Sequence, residues 1–295
     1  MLGETLEIYR SPRLADCEER AFVLTAVGLP SEIVRAGADH VLMVGPLDVE
    51  TARAHLERYE EEARRAPAAI PSPVPAQHPQ AWVGCAIYVA VLIAIFYAIR
   101  DGIGPLDAFD SGELHAAAVR NGEWWRAWTA LTLHYGLAHL SANLGAGAWF
   151  GYLAGRLFGP GTAWALIVNG GALANLIEGW LAPGSHRSAG ASTAIFTALG
   201  LLAAFSWRTH RTPGEHWALG WSPLIAGVVL LGWLGAAGAH TDVFAHLAGF
   251  LVGVLLGSIV AAGSVQRLLA RTPQWLGAVL ALGSVTLAWL LALRG

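Results

Sequence analysis

Residues 190–206 read Gly-Ala-Ser-Thr-Ala-Ile-Phe-Thr-Ala-Leu-Gly-Leu-Leu-Ala-Ala-Phe-Ser, and Arg208, His210 and Arg211 follow shortly after. The run from Ala191 to Phe205 carries no charge. Its fifteen residues, at 1.5 Å rise each, cover about 22 Å as a helix, whereas a bilayer's hydrocarbon core is about 30 Å thick. A helix built on this run therefore begins about 8 Å beneath the outer boundary, with Ser192 in its first turn. The loop Pro183–Ala189 must reach down to that level. Irregular backbone at such depth is tolerable only where protein or a water-filled cavity surrounds it.

The rest of the chain agrees with a membrane setting. Hydrophobic residues make up 55% of the 295 positions, charged residues 13%, and mean hydropathy is +0.50. Soluble domains carry roughly 25% charged residues, so this composition lacks the surface to stay dissolved. Apolar runs of spanning length fall at 81–100, 137–157, 161–182, 191–206, 218–237, 242–263 and 274–293. The expected fold is thus an all-α polytopic membrane bundle, with six helices in a core at 81–263 and an extra transmembrane helix within 264–295.

Charge concentrates ahead of these runs. Residues 1–65 hold 8 of the 18 arginines and 13 of the 21 acids. Their alternation predicts a small soluble α+β domain in βαββα order: strands at Leu6–Tyr9, Ser31–Arg35 and His40–Val44, and helices at Ala15–Val27 and Asp48–Arg65. That order resembles small ferredoxin-like regulatory domains. Pro67, Pro71, Pro73, Pro75 and Pro79 make 66–80 a stiff linker. Cys17 and Cys85 have no metal-ligand or redox spacing and read as free thiols. The acidic, polar start is unlike a cleaved signal peptide.

Arginine counts in the loops between runs tie. Arg64 and Arg65, together with the reduced N-terminal domain, set the expected orientation with the N-terminus in the cytoplasm. The longest gap, Asp101–Gly136, holds Asp107, Asp110, Glu113, Arg120 and the aromatic pair Trp124-Trp125, and is expected to lie partly embedded at the membrane surface.

Polar groups inside spans are costly and mark function by default. His139 and Asn143 sit four apart, on one helical face. Ser192 opens the fourth span and His246 lies early in the sixth. With alternating spans, all three clusters fall at one depth near the outer side. Serine is a weak nucleophile until a base takes its proton, and histidine is the base suited to neutral pH. The Ser192 N–H at a helix start, with His139 and Asn143 beside it, offers donors for an oxyanion. No Asp or Glu is placed to orient His246; Asp242, with Thr241, reads as an N-cap. A dyad is expected, not a triad. Gly249, Gly253 and Gly257 form a small-residue face that allows close approach of helices four and six. His134, His186 and His240 read as interfacial, with His134 helping to hold the first loop. Glu178 reads as facing the bundle or the outer cavity.

Glu123-Trp124-Trp125-Arg126 through Thr129, then His134, His139 and Asn143, then Gly190-Ala191-Ser192, then Ala245-His246-Leu247-Ala248-Gly249 resemble the rhomboid intramembrane serine proteases across roughly residues 81–263. The resemblance implies a protease that cuts transmembrane segments of other membrane proteins without metal, nucleotide or other cofactor. It implies Ser192 as nucleophile, His246 as base, and His139, Asn143 and Gly190 around the oxyanion. Phe196 would pack on the catalytic imidazole, near Gly249 and Gly253. The partners implied are transmembrane substrates and the lipid bilayer. A net charge of −3 speaks against nucleic acid. The expected location is a bacterial inner membrane, the site opening outward; oligomeric state is not readable.

Two positions depart from the family pattern. Thr193 stands where glycine usually follows the serine, adding a branched side chain beside the oxyanion site. The stretch Gly151, Gly155, Gly159 lacks the family's intervening glutamate. The competing function is a rhomboid-like pseudoenzyme that binds or escorts transmembrane helices uncut. Such relatives usually lack the serine or the histidine, and this sequence keeps both. A transporter would show inverted repeats, and none is visible.

Overall fold

The computed structural model describes residues 5–65, 77–103, 108–209, 217–235 and 242–294. Pro67, Pro71, Pro73, Pro75, Asp107, His210, Arg211, His240 and Thr241, discussed above, lie outside these residues. The chain divides into two compact units, Met1–Pro73 and Val74–Gly295.

The first unit contains β1 (Leu6–Ser11), α1 (Leu14–Ala26), β2 (Ser31–Ala36), β3 (Asp39–Val44) and α2 (Val49–Arg65). The strands form one antiparallel sheet in the order β1-β3-β2. The β1–α1–β2 crossover therefore leaves a gap that β3 fills, as in a split βαβ unit. Leu24, Leu42, Val44, Ala52 and Leu56 make the small core. Arg20 joins the elements: its guanidinium lies 3.9 Å over the Tyr9 ring and 3.0 Å from Glu60.

The second unit is helical. In chain order it holds α3 (Ala81–Arg100), α4 (Ala108–Gly112), β4 (Leu114–His115), α5 (Ala116–Arg120), α6 (Arg126–Thr129), α7 (Leu137–Phe158) and α8 (Pro160–Leu181). Next come β5 (Arg187–Ser188), α9 (Ser192–Thr209), α10 (Trp217–Gly235), α11 (Val243–Val260), α12 (Gly263–Arg271) and α13 (Gln274–Ala292). The seven apolar runs thus coincide with α3, α7, α8, α9, α10, α11 and α13. Among the described residues α3, α11 and α13 are long and apolar enough to cross a membrane by composition alone. Within α10 the stretch Trp221–Trp233 is also apolar but shorter. Large apolar side chains stay exposed along α11 and α13, among them Leu251, Leu255, Val279 and Leu280. Such a surface requires lipid, and the chain is an integral membrane protein.

One expectation about length changes. Helix α9 does not stop at the end of its apolar run but continues to Thr209. The added residues, Ser206–Thr209, include Arg208 and lie beyond the apolar run, whose own length stays at about 22 Å. Helix hydrogen bonds propagate through Ser206 and Arg208 whatever their polarity. The placement of Ser192 rests also on the loop before it.

That loop is held from below. Gly190 N–H donates to Ala130 O at 2.9 Å, and β5 pairs with β4. The described part of the gap between α3 and α7 docks against α8. Asn175 Nδ2 donates to Ala127 O at 2.9 Å, Trp128 Nε1 donates to Asn169 Oδ1 at 3.1 Å, and Arg120 donates to Gly179 O and Ala182 O, each at 2.9 Å. Trp124 alone of the aromatic pair is exposed.

Helices α9 and α11 interlock. A Cβ added at Gly249, Gly253 or Gly257 would stand 2.4, 2.2 or 2.3 Å from the carbonyl oxygens of Thr193, Thr197 and Leu201. Backbone touches backbone along three turns, which brings the starts of the two helices together.

Candidate active site

Ser192 is the first residue of α9 and is half-buried; His246 lies in the first turn of α11 and is buried. Phe196, one turn after Ser192, packs on the His246 ring with centroids 4.4 Å apart. The resemblance assigned Phe196 this contact.

Gly190 has φ +148°, in the region that favours glycine. A Cβ there would lie 2.9 Å from His139 Nε2 and 3.6 Å from Ser192 Oγ. His139 and Ser192 therefore flank the same point on the backbone, and only a residue without a side chain leaves that point open. His139 also meets the His134 ring at 5.1 Å and stacks on Tyr135 at 6.1 Å.

Asn143 is buried, and its Nδ2 donates to the His139 carbonyl one turn back at 3.0 Å. One amide hydrogen is thus committed to the helix, and one remains for a ligand. The Asn143 carbonyl accepts the Tyr88 hydroxyl at 2.9 Å. Tyr88 went unnoticed in the sequence, because an aromatic in an apolar helix carries no signal of the partner it will meet.

His134 is buried, and its Nε2 accepts the Ala191 N–H at 3.4 Å. Burial and the neighbouring His139 push its pKa down to about 4, so the ring is neutral at physiological pH and able to accept. His134, expected at the interface and holding the first loop, is instead buried and bonds to the start of α9.

Two expectations are refined in detail. Thr193 is buried, and its methyl group turns toward α11: Cγ2 lies 3.3 Å from where a Gly249 Cβ would be. Its branch fills the α9–α11 contact, as its place one residue further round the helix dictates. His186 is not simply interfacial: its Nε2 lies 2.7 Å from the buried Glu178 carboxylate and 2.8 Å from Asp242. The Asp242 side chain does cap α11, accepting from Ala245 N–H at 3.0 Å. Glu113, also buried, pairs with Arg187 across the β4–β5 contact.

The fold and this arrangement define a polytopic helical membrane protein with serine and histidine at the mouths of two interlocked helices. Residues 121–263 match the rhomboid domain model, and the chain carries a rhomboid domain over that stretch. It is similar to Rhomboid protease GluP of Bacillus subtilis, 28% identical over 57% of this chain and 32% of that protein. It is also similar to the Putative rhomboid protease YdcA of the same organism, 28% identical over 47% of this chain and 68% of that one. RHOMBOID-like protein 7 of Arabidopsis thaliana is 32% identical over 48% of this chain and 44% of its own length. The match thus spans a third of GluP and under half of RHOMBOID-like protein 7.

Proposed function

We propose that the chain is an intramembrane serine endopeptidase that cleaves transmembrane segments of other membrane proteins through a Ser192–His246 dyad. The observation that carries the reading is the packing of Phe196 on His246 while Ser192 and His139 flank Gly190. One aromatic thereby links the helix of the nucleophile to the ring of the base.

The chemistry follows in two halves. His246 takes the Ser192 hydroxyl proton as Oγ attacks the scissile carbonyl carbon. The oxyanion formed lies near the N-terminus of α9, whose dipole favours negative charge, with His139 and the second Asn143 amide hydrogen as side-chain donors. His246 then gives its proton to the departing amine as the C–N bond breaks, leaving an acyl ester on Ser192. Water, deprotonated by His246, attacks the ester, and Ser192 recovers its proton from the imidazolium as the acid product leaves.

With the N-terminus in the cytoplasm, α7, α9 and α11 all start at the outer side, and the site opens outward. The domain divisions at 1–65, 66–80, 81–263 and 264–295 belong to the same reading. The test is cleavage of a model transmembrane substrate in liposomes by wild type, Ser192→Ala and His246→Ala. Both variants are expected to lose cleavage, and Ser192→Ala to lose fluorophosphonate labelling. Undiminished cleavage by either variant sinks the dyad.

A further inference from the structure

Glu178, near the C-terminal end of α8, is fully buried. Its two carboxylate oxygens each lie 3.2 Å from the Ser188 hydroxyl, and one lies 2.7 Å from His186 Nε2. The same nitrogen lies 2.8 Å from Asp242 Oδ2. One ligand-type atom from each of Glu178, His186 and Asp242 falls within 4.8 Å of the others. The end of α8 and the loop that follows it meet the N-cap of α11, which lies far along the sequence from both.

The dyad chemistry uses none of the three. Two carboxylates brought together away from water repel, and each pays for lost hydration. An imidazole between them is what makes the approach tenable. The neighbouring arginines are engaged elsewhere: Arg187 with Glu113, and Arg120 with the Gly179 and Ala182 carbonyls. Removing one member leaves the others poorly compensated, so the cluster should behave as a unit.

What the cluster holds is specific. Asp242 Oδ1 accepts Ala245 N–H at 3.0 Å, and the Asp242 carbonyl accepts His246 N–H at 3.1 Å. The turn that carries His246 therefore starts at a clamped residue. His186 sits in the loop that runs on through Gly190 to Ser192. One imidazole joins the strand of chain delivering the serine to the helix delivering the histidine.

We propose that Glu178, His186 and Asp242 form a latch of positioning residues that sets the register between Ser192 and His246. The proposal rests on the dyad reading for its effect on catalysis, while the latch itself is a statement about structure.

The test uses the full chain in liposomes: wild type, Glu178→Gln, Asp242→Asn, the double variant and His186→Ala. Asparagine keeps an N-cap acceptor, so Asp242→Asn removes charge without uncapping α11. Hydrogen exchange over 183–190 and 242–250 is expected to rise in every variant. The fluorophosphonate labelling rate and kcat should fall about tenfold with KM within about twofold, and the double variant should fall no further than the worse single one. Unchanged exchange overturns the latch. Raised exchange with unchanged labelling and kcat overturns its positioning role, as does a double variant whose loss is the product of the singles, about a hundredfold. Wild type that neither labels nor cleaves overturns the dyad instead, and the exchange measurements still decide the latch.

Discussion

Replacing Gly249 by alanine tests the α9–α11 contact at the point nearest the serine. The added Cβ would stand 2.4 Å from Thr193 O, 3.2 Å from Thr193 C and 3.3 Å from Thr193 Cγ2. Ordinary contact begins at 3.4 Å, so the two backbones must part by about 1 Å at this level. Neither can yield alone, because Thr193 O already accepts the Thr197 hydroxyl at 2.9 Å within its own helix. Overpacking of this kind costs about 1–3 kcal/mol of stability. Its effect on rate should be larger, since a 1 Å misplacement of reacting groups costs about a hundredfold. Cleavage of a transmembrane substrate in liposomes, with thermal melting of the same preparation, reads both quantities. Gly257→Ala makes an equally close contact, 2.3 Å from Leu201 O, but about 16 Å further along the helix from His246. It should lose similar stability and far less kcat. Gly283→Ala, with nothing within 4 Å, should lose neither. Wild-type kcat in Gly249→Ala, or equal losses of kcat at Gly249 and Gly257, would refute the reasoning.

Gln274→Ala should lower the melting temperature by an amount equivalent to about 1–2 kcal/mol, because Gln274 Oε1 accepts the N–H groups of Gly161 and Thr162 at the start of α8; an unchanged melt would refute that capping role. Arg187 is half exposed, so Arg187→Met, which leaves the buried Glu113 carboxylate without its partner, should destabilise by about 1–3 kcal/mol, while Glu113→Gln with Arg187→Met should recover most of it; thermal melts of Arg187→Met, Glu113→Gln and the double variant decide. Burial pushes the Cys17 thiol above its ordinary pKa, so iodoacetamide at neutral pH should leave Cys17 unmodified in the folded chain and alkylate it after denaturation. Modification at the rate of a free thiol under native conditions would contradict its burial.

The sequence by itself determined the helices, because twenty apolar residues in a row have few other fates in a bilayer, and the order of strands and helices along the first 65 residues, because two-residue and 3.6-residue periods differ. It also singled out Ser192, His139, Asn143 and His246, since polar groups in apolar runs stand out against their background. Only the tertiary structure decided what each meets. The resemblance placed Phe196 on His246, but the glycine contacts between α9 and α11 that bring the two together are seen only in the fold. That Thr193 turns into α11, and that α9 runs on to Thr209, depends on neighbours and helix propagation rather than on residue type. The meeting of Glu178, His186 and Asp242 was invisible for the same reason. Each residue taken singly reads as a loop end, a cap or a lone acid, and their approach exists only because α8, α9 and α11 converge at one end of the bundle.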